Sequence, residues 1–190
     1  AEDSTKITLT NLTRSSEPGG TTTPAEGYLT YASLKLALSA TDTLTNISDI
    51  TVSMSGTASA SDVEAVRLYK DTNANCLYDD GVDTQIGSDQ VMSGSPGSAT
   101  FSSISSGVLT TSSTSVVACF FVRAKISDSA NDERTLALGI QSSSDITNDQ
   151  SYTFSTTSSP PVYGNTTTIS NGATSYWDGS ASNVYTANGN

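Results

Sequence analysis

The sequence predicts an all-β chain, an antiparallel β-sandwich of about nine or ten short strands with extended terminal segments. Two observations carry this. Apolar residues alternate with polar ones at period two along most of the chain, and no segment longer than a couple of turns carries a helical stripe. Clusters of Gly, Asn, Ser and Pro punctuate the alternating runs at the spacing of short strands, which is the sandwich signature.

Taken in order, Ile7 and Leu9 alternate in KITLTNL, and RSSEPGGTTTPAEG reads as a loop. Residues 1–26 are therefore expected to form an N-terminal strand or arm and its loop. The sandwich is expected over residues 27–158. Leu34, Leu36 and Leu38 alternate in SLKLALS, then Ile50, Val52 and Met54 in DITVSMSG, and Val63, Val66, Leu68 and Tyr69 lead into an acidic loop at 71–83. Beyond the loop, TQIGS, SATFSSI and GVLTTS read as short strands between Gly/Ser turns, followed by SVVACFFVRAKI, RTLALGIQ and SYTFSTT. The expected core is Val52, Met54, Val66, Leu68, Val117, Cys119, Phe121, Leu136, Leu138 and Ile140.

The run VVACFFV departs from alternation. Val117, Cys119 and Phe121 occupy one face, and Val116, Ala118, Phe120 and Val122 the other, so both are apolar. A strand with one wet face should alternate. Either the chain covers both faces itself, for instance with the N-terminal arm, or another molecule covers one of them, which makes Phe120 and Val122 candidate interface residues.

The acidic loop reads DTNANCLYDDGVD. Asp71, Asn73 and Asn75 place side-chain oxygens at alternate positions, and Asp79, Asp80 and Asp83 add three carboxylates. In a tightly turning loop, side chains at positions 1, 3, 5 and 9 with a backbone carbonyl at 7 converge on one Ca²⁺. Those positions are Asp71, Asn73, Asn75, Asp79 and the carbonyl of Leu77. Position 6, usually Gly, is Cys76, and position 12, usually Glu, is Val82, with Asp83 one residue later in its place. The alternative is a solvated turn, since Asp and Asn favour turns by bonding their own backbone. Six Asp and Asn side chains in thirteen residues exceed what a turn needs, and Ca²⁺ is the expected cofactor.

Two cysteines, Cys76 in the loop and Cys119 in VVACFFV, stand 43 residues apart. Bridged, they pin the loop to a core strand; otherwise they are two buried thiols. Composition narrows the partners. A formal charge of −11 argues against nucleic acid, whose binding relies on Lys and Arg neutralising phosphates. No run of 18 apolar residues is present, so no transmembrane segment is expected. Ser and Thr supply 63 of the 190 residues and charged residues only 14%, so the surface is hydroxyl-rich and weakly charged. The start AEDSTK, without Met, fits a removed secretory signal, and a secreted, extracellular or cell-surface location is expected. Sequons at Asn11, Asn46 and Asn165 are candidate glycosylation sites. Residues 159–190, polar and without a basic residue, are expected to form a tail packed on the chain itself or on a neighbouring subunit, with Trp177 and Tyr185 as anchors.

The stretch DVEAVRLYKDTNANCLYDDGVDTQIGS resembles a pattern of secreted bacterial and archaeal surface proteins, in which a V-x-L-Y strand runs into D-x-N-x-N-G-x-Y-D and then D-T-x-x-G-S. The resemblance implies an Ig-like sandwich and calcium at Asp71, Asn73, Asn75, Asp79 and Asp83. In architecture the chain is also similar to TasA-like and donor-strand filament subunits.

No enzymatic activity is expected. The chain has no His, the usual general base, and neither a P-loop nor a dinucleotide-binding glycine pattern. The expected function is a structural subunit of an extracellular filament, a homopolymer in which a segment such as residues 6–12, carrying Ile7 and Leu9, adds to an open sheet edge of the next copy. The alternative is a monomeric adhesin or carbohydrate-binding module that meets glycans through Tyr163, Tyr176, Trp177 and Tyr185.

Overall fold

The computed structural model describes residues 34–39, 45–104, 108–109, 117–148, 160–164, 166–169, 174–177 and 184–187, and the side chains of these except at 37–39, 45–46, 108–109, 117, 174–177 and 184–187. Ile7, Leu9, Asn11 and Asn165 lie outside the described residues, as does the strand expected at SYTFSTT.

Alternation produces strands where it is expected: β1 (Leu34–Ser39), β2 (Thr45–Gly56), β3 (Val63–Lys70), β4 (Thr84–Gln90), β5 (Ser98–Ser102), β6 (Val108–Leu109), β7 (Val117–Ile126) and β8 (Thr135–Ile140). Five more follow: β9 (Ile146–Asn148), β10 (Val162–Tyr163), β11 (Thr167–Thr168), β12 (Thr174–Trp177) and β13 (Val184–Ala187). These are two to four residues long, too short for a period to show, so the sequence reading of nine or ten strands falls short of the thirteen described.

One antiparallel sheet has the order β1-β7-β3-β4. The other has the order β10-β8-β2-β5, with β11 beside β8 and β6 and β9 beside β2, while β12 and β13 pair with each other. Both sheets give one face to a common core: Leu34, Leu36, Val66, Leu68, Phe120 and Val122 from the first, and Ile50, Val52, Met54, Phe101, Leu136, Leu138 and Ile140 from the second. Part of the segment expected as a tail packed on the chain itself or on a neighbouring subunit pairs with this sandwich. β10 and β11 pair with β8, and Ile169 is fully buried in the shared core. Gly139 permits that docking, because a Cβ there would lie 2.3 Å from the carbonyl oxygen of Val162 and 2.4 Å from Tyr163 Cδ1.

The faces of β7 are the reverse of the expectation. Phe120, Val122, Ala124 and Ile126 point into the sandwich, whereas Cys119 and Phe121 point outward into a second apolar cluster with Tyr69, Tyr78 and Cys76. Phe120 and Val122, expected as interface residues, have no exposed surface to offer one. The physical reason is visible one turn of the pleat further on: Arg123 and Lys125 share the parity of Cys119 and Phe121, and charged groups belong on the outer face.

A second fixed point ties the β2–β3 and β7–β8 connections together. Asp62, only 1% exposed, ends a short 3-10 turn (Ala60–Asp62). Its carboxylate accepts hydrogen bonds from Ser59 N–H and Oγ–H (both 2.7 Å) and from Asn131 N–H and Nδ2–H (both 2.9 Å). A buried carboxylate is tolerated only when its oxygens are satisfied in this way.

Candidate functional site

The loop at 71–83 closes the β3–β4 hairpin, with Lys70 opposite Thr84 at its base. It does not extend into solvent. Tyr78, 6% exposed, folds it back over the outer face of the first sheet, edge-on to Tyr69 (centroids 5.2 Å apart) and to Phe121 (5.9 Å). Arg123 places its guanidinium 4.4 Å from the Tyr78 ring centroid, in the range of a cation–π contact. Burial pushes the Tyr78 phenol up from its ordinary pKa, and the hydroxyl donates to Asp80 at 3.0 Å. The cover for the second face of VVACFFV is therefore this loop.

A disulfide joins Cys76 to Cys119, with Cα atoms 5.4 Å apart, a separation ordinary for such bridges. Cys76 is held by its backbone as well: its N–H donates to Asp71 Oδ2 at 2.7 Å, and its carbonyl accepts from Lys35 Nζ on β1. Burial lowers the Lys35 pKa, and Asp71 opposes that shift. Cys76 has φ +59°, a left-handed conformation in the loop position where such cation loops usually carry Gly for the sharp turn. The turn is made without glycine, by a residue fixed through its sulfur.

The carboxylates are arranged around backbone donors. Asp71, 8% exposed, accepts from Ala74 N–H at 2.8 Å as well as from Cys76, and Asp83, 9% exposed, accepts from Thr72 N–H at 3.1 Å and Asp79 N–H at 2.9 Å. Asp79 Oδ2 receives the side-chain amides of both Asn73 and Asn75 at 2.7 Å, and the Asn73 and then the Asn75 hydrogen bonds lower its pKa. Val82, at position 12, is half exposed, so Asp83 and not its neighbour turns into the loop. The Leu77 side chain is also half exposed, and its N–H donates to Asn75 Oδ1 at 2.7 Å.

By donor type this set fits a hard cation: Asp71, Asp79 and Asp83 supply carboxylates, and Asn73 and Asn75 supply amide oxygens. Both amides present nitrogen to Asp79, so to offer oxygen to a shared cation they must turn about. Asp71 is also adjacent to the bridge, its carboxylate oxygen and the two sulfurs lying within 4.8 Å of one another. The sulfurs are spent on each other and are not ligands.

Sequence reasoning missed Tyr78, Tyr69, Arg123 and Lys35, which seat the loop. Of the remaining expected positions, Asn46 lies on β2 opposite Val108. In the β12–β13 hairpin Tyr176 pairs with Tyr185 and Trp177 with Val184.

No helix among the described residues is long and apolar enough to cross a membrane. No family model, curated protein or solved structure matches the chain.

Proposed function

We propose that the chain is a structural subunit of an extracellular filament, assembled by non-covalent β-strand contacts between copies and stiffened by Ca²⁺ in the 71–83 loop. The observation that carries this reading is β1, the end strand of its sheet among the described residues. Its ladder with β7 runs unbroken from Leu34 opposite Val122 to Ser39 opposite Val117. Asp71 N–H donates to the Cys119 carbonyl at 3.0 Å, so Cys119 directs its backbone groups away from β1. Alternation along an antiparallel strand then gives the bonds to β7 to Leu34, Leu36 and Leu38, and turns the N–H and C=O of Lys35, Ala37 and Ser39 to the other side.

Proteins blunt exposed edges with bulges, charges or prolines. β4, at the opposite end of the same sheet, has such protection: a register shift between Val66 and Leu68, Gly87 at φ +69°, and Asp89 paired with Arg67 at 2.8 Å. β1 carries one charge, Lys35, and directs it at the loop. An added strand with Ile7 and Leu9 on its inner face continues the row of Leu34 and Leu36. The disulfide supports an oxidising, extracellular setting.

Electron microscopy of the native protein tests the reading. Chains lacking residues 1–12 are expected to remain as discrete units while the full chain forms fibres; fibres from the truncated chain overturn strand donation. The calcium component has its own test. Wild-type protein is expected to melt higher in calcium than in chelator. Asp71→Ala, which strands the N–H groups of Ala74 and Cys76, is expected to lose about 1–3 kcal/mol and all chelator sensitivity. Equal wild-type melting in the two conditions sinks the calcium reading. The register of the β12–β13 hairpin, which sets Tyr176 opposite Tyr185, favours a second reading, a monomeric adhesin or carbohydrate-binding module, and discrete particles whose Trp177 fluorescence responds to glycans would select it.

A further inference from the structure

We infer that the Cys76–Cys119 disulfide acts as a redox-sensitive strap that locks the outer strand β1 onto its sheet. Among the described residues β1 has one strand neighbour, β7, and one side-chain tie to the loop that lies above that strand. Ala37 stands directly opposite Cys119, and Lys35, opposite Phe121, reaches across to the Cys76 carbonyl. Three anchors converge on Cys76: its sulfur on β7, its carbonyl on β1 and its N–H on Asp71. Its left-handed φ of +59° is unfavourable for any residue with a Cβ, and the covalent anchor opposes relaxation to the ordinary region. The bridge thus fixes the position of the carbonyl that Lys35 grips.

Reduction removes that fixture. A dithiol delivers two electrons and two protons, leaving thiols at Cys76 and Cys119 and closing to a cyclic disulfide itself. Cys76 then leaves the left-handed region, its carbonyl swings off Lys35, and β1 keeps only its ladder with β7 and the core packing of Leu34 and Leu36, without a tie to the loop. For assembly the consequence rests on β1 being the acceptor edge: the edge is ordered only in the oxidised chain, so polymerisation follows oxidation. The behaviour of the strap itself does not depend on assembly.

Amide hydrogen exchange, followed by NMR on the oxidised and dithiol-reduced full chain, reads the effect. Leu36 N–H on β1 and the loop amides are expected to exchange at least about tenfold faster after reduction, with Val52 and Leu138 in the other sheet unchanged, as for a local opening. A second variant separates the strap from general loosening. Lys35→Met in the oxidised chain retains the aliphatic stem and loses the donor, and should accelerate Leu36 while Cys76 and Ala74 stay protected. Equal Leu36 exchange in oxidised, reduced and Lys35→Met protein overturns the inference, as does equal acceleration across both sheets. Micrographs of the same oxidised sample keep the two proposals apart: accelerated exchange without fibres retains the strap and refutes the filament, whereas fibres with unchanged exchange do the reverse.

Discussion

Replacing both cysteines, Cys76→Ser with Cys119→Ser, is expected to lower the unfolding free energy by about 4 kcal/mol, the chain-entropy value for a loop of this size. The bridge closes 43 residues of chain. For a protein of this length that corresponds to a melting temperature lower by roughly 8–16 °C. Calorimetry on the variant and the parent measures it directly. A second signature is local. With the bridge gone, Tyr78 is held over Tyr69 and Phe121 by ring contacts, the Arg123 guanidinium with its ion pair to Asp80, the Asp71 N–H bond to Cys119 and the Lys35 bond. The outer apolar cluster should then bind a hydrophobic dye at temperatures well below global unfolding. A melting temperature within about 2 °C of the parent would show that these contacts alone hold the loop, and that the unfolded-state restraint is far weaker than the entropy model gives.

Asp62→Asn is expected to lose roughly 2–3 kcal/mol, because a charged acceptor of four hydrogen bonds becomes a neutral amide with donors facing donors. Its pH dependence carries a distinct sign. Burial raises the Asp62 pKa, but the bonds from Ser59 and Asn131 outweigh it and bring it to about 2, below the ordinary value of 3.8. A carboxyl depressed in the folded state contributes stability that is fully present above its unfolded pKa and disappears as pH falls through the folded one. The wild type should therefore lose about 2 kcal/mol between pH 4 and pH 2 from this group. Urea midpoints at pH 6, 4 and 2 should fall more steeply for the wild type than for Asp62→Asn. Parallel slopes would assign the acid sensitivity to other carboxylates, such as Asp49 or Asp89, which are also lowered, by Thr147 and by Arg67 respectively.

The longer strands among β1 to β8 were legible because apolar and polar residues alternate through their stretches of sequence, and the two-faced character of β7 stood out against that alternation. What covered its second face was not legible from period alone. The residues of VVACFFV are apolar on both sides, so parity had to come from outside that run. Arg123 and Lys125 carry that signal, on the same parity as Cys119 and Phe121, and the expected core, which included those two residues, did not use it. Cys76 pointed the same way, since a disulfide to a turn residue places Cys119 under that turn. β10 and β11 escaped because two residues define no period, and β8 announces them only through Gly139, whose missing side chain makes room for Tyr163. In the candidate site Asp71, Asn73, Asn75, Asp79 and Asp83 were legible as one group of oxygen-bearing side chains from their spacing. Their seat was not. Tyr78 reads as one more polar loop residue until the fold sets its ring between Tyr69 and Phe121.

The bridge also has a mechanical consequence. Cys76 and Cys119 enclose β4 of one sheet and β5 and β6 of the other within a single covalent ring. Tension applied to the two ends of the chain passes through the bridge and bypasses everything between the cysteines. At roughly 3.4 Å per extended residue, the ring withholds about 150 Å of contour length from an unfolding subunit. Single-molecule pulling would record that shortfall as a smaller extension per event, restored by reductant. A fibre built of such units yields less under load for each unit that gives way, and the shielded segments are ready to re-pair when the load drops.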